Sequence, residues 1–351
     1  MTKKKILLTL RIGGENGGPY ISHSRIMQSA LKDKYDMKPL MVPRSRVLLD
    51  PCGMKSFVNT IKSENPDLVV VTGLQIEGFL TMIACKKAGV KTLLAVHGSS
   101  REALDIGAVY KAAIKLLEHH SIRTADAVFG VSDYVSGWDC LKHAKKHCGT
   151  VYNIPSLSGD REHDLRQEFG FDKNDVVIVS TGRITREKGY DLLWQAIQKL
   201  GRRDNVKFLI AGDGDYRNEW QSEIEKNGYA DRVVLAGYRS DIDAVLNTAD
   251  IFIICTKHET LCNSILEAYM HALPVIATNV GGIPEIVEHN QSGFLVKNGD
   301  VDGFASALDK LISDTGLRKQ YGTRGREIVL DKFDENKIIN KLDEIFTKLI
   351  N

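Results

Sequence analysis

The chain has 351 residues, 43% hydrophobic and 26% charged, the composition of an ordinary globular protein with enough length for two separate cores. No run approaches the roughly 18 consecutive apolar residues of a membrane span, and the basic start of the chain leads straight into the short apolar stretch Ile6–Leu10, too brief for a secretory leader, so a cytosolic chain is expected. The six cysteines are scattered without a Cys-x-x-Cys pair, which fits a reducing compartment and speaks against disulfides or structural zinc.

In chain order, strand-like runs alternate with helical ones. The first set is Lys5–Leu10, Met37–Val42, Leu68–Thr72, Thr92–Val96, Ala127–Val131 and Gly149–Tyr152. Repeated strand–helix units of this kind predict a parallel sheet covered by helices on both faces. Residues 156–174 carry Ser156, Ser158, Gly159 and several charges but no strand pattern, and are read as a linker between a domain 1–155 and a domain 175–332. The second set runs Val176–Thr181, Val206–Ala211, Arg232–Leu235, Ile251–Cys255, Pro274–Thr278 and Gly293–Val296, a second doubly wound sheet. The final stretch, 333–351, contains a helix over Glu335–Leu349 whose apolar positions Ile338, Ile339, Leu342, Ile345, Phe346 and Leu349 recur at helical spacing.

Four loops at predicted strand ends carry chemistry. After the first strand, Arg11 to Pro19 includes Gly13, Gly14, Gly17 and Gly18 and opens a helix from Tyr20, so that backbone could approach a ligand closely. The spacing is not that of the dinucleotide fingerprint, which disfavours a dehydrogenase. After the fourth strand, His97 precedes the flexible turn Gly98-Ser99-Ser100. After Val176–Thr181 come Gly182, Arg183 and Lys188, two cations placed where open α/β sheets receive ligands, before a helix starting near Tyr190. After Ile251–Cys255 come Glu259 and Glu267, eight positions apart, astride a helix start at which Asn263 and Ser264 are good N-caps. Carboxylates there can each accept hydrogen bonds from vicinal hydroxyls, and the backbone N–H groups of Asn263, Ser264, Ile265 and Leu266 can hold a phosphate. Alone, two glutamates at that spacing are ordinarily solvated helix charges; together with the cations they outline a site for a polyhydroxyl anion.

Gly182-Arg183 through Lys188-Gly189, Glu259 through Glu267-Ala268, and Pro274 through Gly281-Gly282-Ile283-Pro284-Glu285, in this order and spacing, resemble the retaining, nucleotide-sugar-dependent glycosyltransferases of family 4, of the bacterial surface-polysaccharide type. The resemblance implies the GT-B fold, two Rossmann-like domains facing a cleft, with the terminal helix crossing back to the N-terminal domain. It implies a UDP-sugar or GDP-sugar donor, a glycan or lipid-linked acceptor, and no cofactor or metal. Arg183 and Lys188, with backbone N–H groups at Gly17, Gly18 and 263–266, would stabilise the leaving diphosphate; Glu267 would bind the ribose; Glu259 and His97 would contact the transferred sugar. Where many family members carry Gly-Phe-Gly-Leu after the first glutamate, this chain has Thr260-Leu261-Cys262-Asn263.

Other readings are kept as alternatives: a GT-B sugar-nucleotide epimerase, or a non-catalytic nucleotide- or polyanion-binding module. Asp213-Gly214-Asp215 looks like an Asp-x-Asp metal motif but follows a strand where a tight turn is required, and His143, His147 and Cys148 are read as decoration of a Lys-rich helix end rather than a metal site. Net charge is +2, unevenly spread: residues 1–161 hold 23 Lys and Arg against 14 Asp and Glu, the remainder 24 against 31. A basic first half predicts peripheral docking on an anionic inner leaflet through Lys111, Lys115, Arg123, Lys142, Lys145 and Lys146.

Overall fold

The computed structural model describes residues 2–13, 17–99, 107–156 and 163–351, without the side chains of 108 and 110. The chain divides into two compact units, 1–154 with 333–351, and 155–332.

The first unit is built on a six-stranded, all-parallel sheet. Its strands are β1 (Lys5–Arg11), β2 (Asp36–Val42), β3 (Leu68–Thr72), β4 (Thr92–Val96), β5 (Ala127–Gly130) and β6 (His147–Thr150), in the order β2-β1-β3-β4-β5-β6. The central strands are near-continuous apolar runs because helices cover both faces: β3 and β4 bury Leu68 to Val71 and Leu93 to Val96 almost completely. The expected last strand, Gly149–Tyr152, forms two residues earlier, at His147–Thr150, where the pairing with β5 shifts register between Val128 and Gly130. His147 and Cys148 therefore lie on an edge strand, not at a helix end, and His143 ends a 3-10 turn over Asp139–His143. The helix Glu335–Ile350 buries the six residues expected of it and packs on this unit. Tyr35 and Phe346 meet edge to face at 5.7 Å, and Asp343 accepts from the Tyr35 hydroxyl and the Lys34 ammonium, each at 2.7 Å.

The second unit has a separate six-stranded parallel sheet: β7 (Val176–Thr181), β8 (Val206–Ala211), β9 (Val233–Gly237), β10 (Ile251–Ile254), β11 (Val275–Thr278) and β12 (Gly293–Val296), in the order β12-β11-β10-β7-β8-β9. Its core gathers Ile178, Phe208, Trp220, Ile253, Phe304 and Leu308. Of the stretch read as a linker, 157–162 lie outside the described residues, and the rest belongs to this unit. Leu165 and Phe171 are buried, and Arg166 reaches the Asp250 carboxylate at 2.9 Å, because a turn over 166–170 packs under the sheet instead of spanning between cores.

Candidate functional site

In the second unit the chain order brings three loops to one edge, the carboxyl ends of β7, β10 and β11, since β10 pairs with both β7 and β11. The loop after β7 carries Gly182 and the exposed Arg183, then a 3-10 turn Arg186–Lys188 that hands over to the helix Tyr190–Leu200. That handover occurs at Gly189, with φ +72°, where an added Cβ would collide with the carbonyl oxygen of Cys255 at the end of β10. Only glycine permits both the left-handed backbone and this approach. The two loops are tied further by the Lys257 N–H donating to the Glu187 carbonyl at 2.9 Å and by a Lys257–Asp191 ion pair at 2.8 Å.

The tie with chemical consequence is between Lys188 and Glu259, whose Nζ and Oε2 are 2.8 Å apart with side chains 21% and 18% exposed. Burial penalises the ammonium, yet the charge of Glu259 and its hydrogen bond outweigh that penalty and hold the Lys188 pKa above its ordinary value. The other oxygen of Glu259 accepts from the Thr260 N–H at 3.2 Å. Behind Glu259 the loop after β11 presses backbone to backbone: a Cβ on Gly281 or Gly282 would collide with the carbonyl oxygens of Glu259 and Thr260, and the Gly282 N–H donates to the Glu259 carbonyl at 3.1 Å. Arg183 lies near enough to act on the charge of Lys188 and makes no ion pair itself among the described residues.

The helix Asn263–Met270 follows. Its N-cap position is Cys262, not Asn263 or Ser264, which are the first two helical residues, and no side chain caps the end through a hydrogen bond. Cys262 is buried and its Sγ sits 3.2 Å from the Ser264 hydroxyl; burial pushes its thiol up to about 12, so it stays protonated. The side chains of Ile265 and Leu266 are wholly buried, so only their backbone could serve a ligand. Glu267, half-buried, sits just over one turn into the helix. The edge thus gathers Arg183, Lys188 and Glu259 in front of a helix start without a side-chain cap, with Glu267 on that helix. Two cations beside a helix start without a side-chain cap suit a diphosphate, although the Ile265 N–H already donates to the Cys262 carbonyl at 3.2 Å; the glutamates suit hydroxyls. Asp213, by contrast, turns its carboxylate onto the Gly214 N–H at 2.8 Å, as the turn requires, and among the described residues no three His, Cys, Asp or Glu side chains gather as a metal site.

In the first unit, Gly14 lies outside the described residues together with Glu15 and Asn16, but Gly17 and Gly18 are defined. The helix they open begins at Gly18, two residues before the expected Tyr20, because Pro19 fits its first turn. Among the described residues a Cβ on Gly18 would meet nothing within 4 Å. His97 directly follows β4, half-buried, and burial lowers its pKa to about 4, leaving a neutral imidazole. Ser100 of the turn after it lies outside the described residues, while Ser99 donates to the fully buried Glu118 at 2.6 Å.

Sequence reasoning missed His23. Its ring is completely buried on the helix Gly18–Gln28, 6.1 Å from that of His97 and edge-on to it. Nδ1 donates to the Thr9 carbonyl at 3.0 Å, which fixes the tautomer, and Nε2 has no hydrogen-bond partner among the described residues. Burial, then the neighbouring His97, push its pKa down to about 3. Its position five residues after Gly18 was the available signal, masked by the polar residues around it.

Of the basic residues proposed for membrane docking, Lys142 is paired with Asp139 at 2.7 Å and Lys145 with Asp126 at 3.4 Å. Lys111, Lys115 and Arg123 lie on the helix Ala108–Thr124, beside Val109 and Leu116, which are 87% and 72% exposed. Among the described residues no helix is long and apolar enough to cross a membrane.

Residues 161–328 match the family model "Glycosyl transferases group 1". The N-acetyl-alpha-D-glucosaminyl L-malate synthase of Bacillus anthracis is 26% identical over 73% of this chain and 68% of its own length. The UDP-Gal:alpha-D-GlcNAc-diphosphoundecaprenol alpha-1,3-galactosyltransferase of Escherichia coli is 24% identical over 89% of this chain and 83% of its own. Several other curated relatives are matched over only about half of their length, 47% in the case of a lipopolysaccharide core glycosyltransferase of Rhizobium meliloti, 31% identical over 46% of this chain. Among solved structures, Anabaena HepE in complex with UDP and glucose superposes with a TM-score of 0.80 at 20% identity, over 98% of this chain and 100% of that one, a likeness of fold.

Proposed function

We propose that the chain, whose residues 161–328 match the glycosyl transferases group 1 model, is a GT-B glycosyltransferase of family 4 that moves a hexosyl group from a UDP-sugar to a glycan or lipid-linked acceptor in cell-surface polysaccharide synthesis, with retention of anomeric configuration. The observation that carries the reading is the Lys188–Glu259 pair beside Arg183, set before a helix start without a side-chain cap. As the bond from the sugar to the diphosphate breaks, negative charge grows on the leaving group and positive charge on the anomeric carbon. Arg183, Lys188 and the N–H groups of 263–266 meet the former without a metal. Glu259 serves the sugar, either through its hydroxyls or by supporting charge near the ring, and Glu267 accepts from the ribose hydroxyls. From the first unit, a neutral His97 offers a hydrogen bond to a sugar hydroxyl, and Gly17 and Gly18 offer backbone N–H groups. Retention is consistent with front-face attack in which the departing phosphate oxygen takes the acceptor proton.

The names of relatives support donor and acceptor: the Escherichia coli enzyme's name gives UDP-Gal and a diphosphoundecaprenol-linked sugar, and HepE binds UDP and glucose. The exposed Val109 and Leu116 beside Lys111 and Lys115 support peripheral attachment to an anionic membrane face. The test is release of nucleoside diphosphate from a panel of UDP-sugars and GDP-sugars, with and without EDTA. One UDP-sugar should be consumed at a rate unchanged by the chelator. Failure to bind UDP or GDP at all would overturn the reading, and activity lost to EDTA and restored by manganese would overturn its metal-free part.

A further inference from the structure

The two loops that carry Lys188 and Glu259 are joined by a second ion pair of the opposite sense. On the first segment Lys188 is followed three residues later by Asp191, in the first turn of the helix Tyr190–Leu200; on the second, Lys257 precedes Glu259 by two. Lys188 meets Glu259 and Asp191 meets Lys257, each at 2.8 Å, so each segment offers one cation and one anion to the other. Slipping either segment along the other would set like charge against like.

Asp191 has little other support. Its Oδ2 pairs with Lys257, while Oδ1 is buried with no hydrogen-bond partner among the described residues. Arg186 is near enough to feel the Asp191 charge but is itself engaged by Glu219 and lies over the Tyr216 ring, 4.6 Å from its centroid. An acid in the first turn of a helix is ordinarily explained by the helix dipole, and a half-buried lysine by its solvated head. Neither accounts for a carboxylate oxygen enclosed without a hydrogen bond, or for two side chains only 32% and 28% exposed that meet across 66 residues of chain. Lys257 is gripped twice, its N–H by the Glu187 carbonyl and its ammonium by Asp191, and the Thr256 hydroxyl donates to the His258 carbonyl at 2.7 Å. The direction in which the chain leaves toward Glu259 is thereby fixed.

We infer that Asp191 and Lys257 are positioning residues of the transfer: their ion pair holds the two loops in register while Lys188 turns from Glu259 to the diphosphate. The two ion pairs then have different tasks. Lys188 is drawn to the leaving group and Glu259 to the sugar, so donor binding parts them; among the described residues Asp191–Lys257 is the ion pair that still spans the two loops, and it sets where the freed Glu259 carboxylate stands. Misplacing a contacting group by about 1 Å is enough to slow a reaction by up to about 100-fold. The inference deepens the glycosyltransferase reading and rests on it, assigning residues that act through Glu259 and not on the donor itself.

The test uses Lys257→Met, Asp191→Asn, the two together and Lys257→Arg, each in the whole chain, with kcat and KM measured on the UDP-sugar that the parent consumes and UDP affinity by calorimetry. Each neutral single variant should lose about tenfold in kcat, while KM and UDP affinity stay within about twofold and Tm within about 4 °C of the parent. The double variant should be no slower than the slower single one, since all three lose the same pair, and Lys257→Arg should recover most of the rate. With UDP saturating, the Lys257 N–H should exchange with solvent about tenfold faster in Asp191→Asn than in the parent. Parent-like kcat in both single variants, a double variant slowed by the product of the two, UDP affinity lost in step with kcat, or unchanged amide exchange would overturn the inference. A parent that neither binds UDP nor consumes a nucleotide sugar would overturn the glycosyltransferase reading instead, so the two failures are distinct.

Discussion

Replacing Lys188 with methionine keeps the stem's volume and removes its charge. In the parent the ammonium neutralises Glu259 at 2.8 Å with both side chains about one-fifth exposed. Removing one member of a fully buried pair costs about 3–5 kcal/mol, because the other charge is stranded; partial exposure here lowers this to roughly 2 kcal/mol. For a cooperative unit of this size that is roughly 4–8 °C in Tm. Lys188→Met/Glu259→Gln strands no charge and should recover at least half of the loss. Turnover should behave differently: the single variant loses about 10²-fold or more through lost stabilisation of the diphosphate, and the double variant does not regain it. The pH dependence has a defined sign. Because the folded pKa of Lys188 is raised, the pair's contribution is complete below the ordinary lysine value of 10.5 and is lost as pH rises through the folded value. The Tm gap between parent and single variant should therefore be constant at neutral pH and narrow above 10.5. Differential scanning calorimetry of the four proteins of the cycle, with turnover measured on the same samples, decides the matter. A double variant as unstable as the single one, or full turnover in Lys188→Met, would refute the reasoning.

Three further expectations are more direct. Arg183→Ala should leave the unfolding free energy within about 0.5 kcal/mol of the parent, since the side chain is exposed and unpaired among the described residues, yet cut turnover about 10²-fold or more; near-normal turnover would remove it from the site. Glu267→Gln should weaken UDP binding by roughly 1.5–3 kcal/mol, whereas Glu259→Gln should chiefly lower turnover, and titration calorimetry giving parent-like UDP affinity for Glu267→Gln would sink the ribose role. The third concerns acid. His23 and His97 have folded pKa values of about 3 and 4, below the ordinary 6.5, so the unfolded chain binds protons that the folded chain refuses. Stability should then be complete above 6.5 and fall with decreasing pH, each histidine adding a slope of up to about 1.4 kcal/mol per pH unit. In urea titrations His23→Phe should cost less stability at pH 4.5 than at pH 7; an equal cost at both would mean that His23 is not held neutral.

The sheets were legible because parallel strands buried on both faces read as apolar runs, and β3, β4, β7, β8 and β12 begin and end where their runs do. Edge strands were less so: β6 buries none of its residues fully, so its run carried no register, and pairing with β5 set its place instead. The terminal helix declared its inner face through six apolar positions at helical spacing. At the candidate site, residue types and strand-end positions were readable, but the pairing of Lys188 with Glu259 was not, since 71 residues separate them and only the β7–β10 register brings them together. Asn263 and Ser264 illustrate the limit of local propensity: both are good caps, yet the chain enters its helix one residue earlier, at the buried Cys262.

The contacts of Gly189 with Cys255, and of Gly281 and Gly282 with Glu259 and Thr260, put main chain directly against main chain, with no side chain to act as a spacer. A joint of that kind has no adjustable part. Lengthening or transplanting any one of the three loops is expected to displace the other two and carry Glu259 away from Lys188. The frame of this edge is therefore closed to redesign by loop exchange, and any change to it has to come through point substitution.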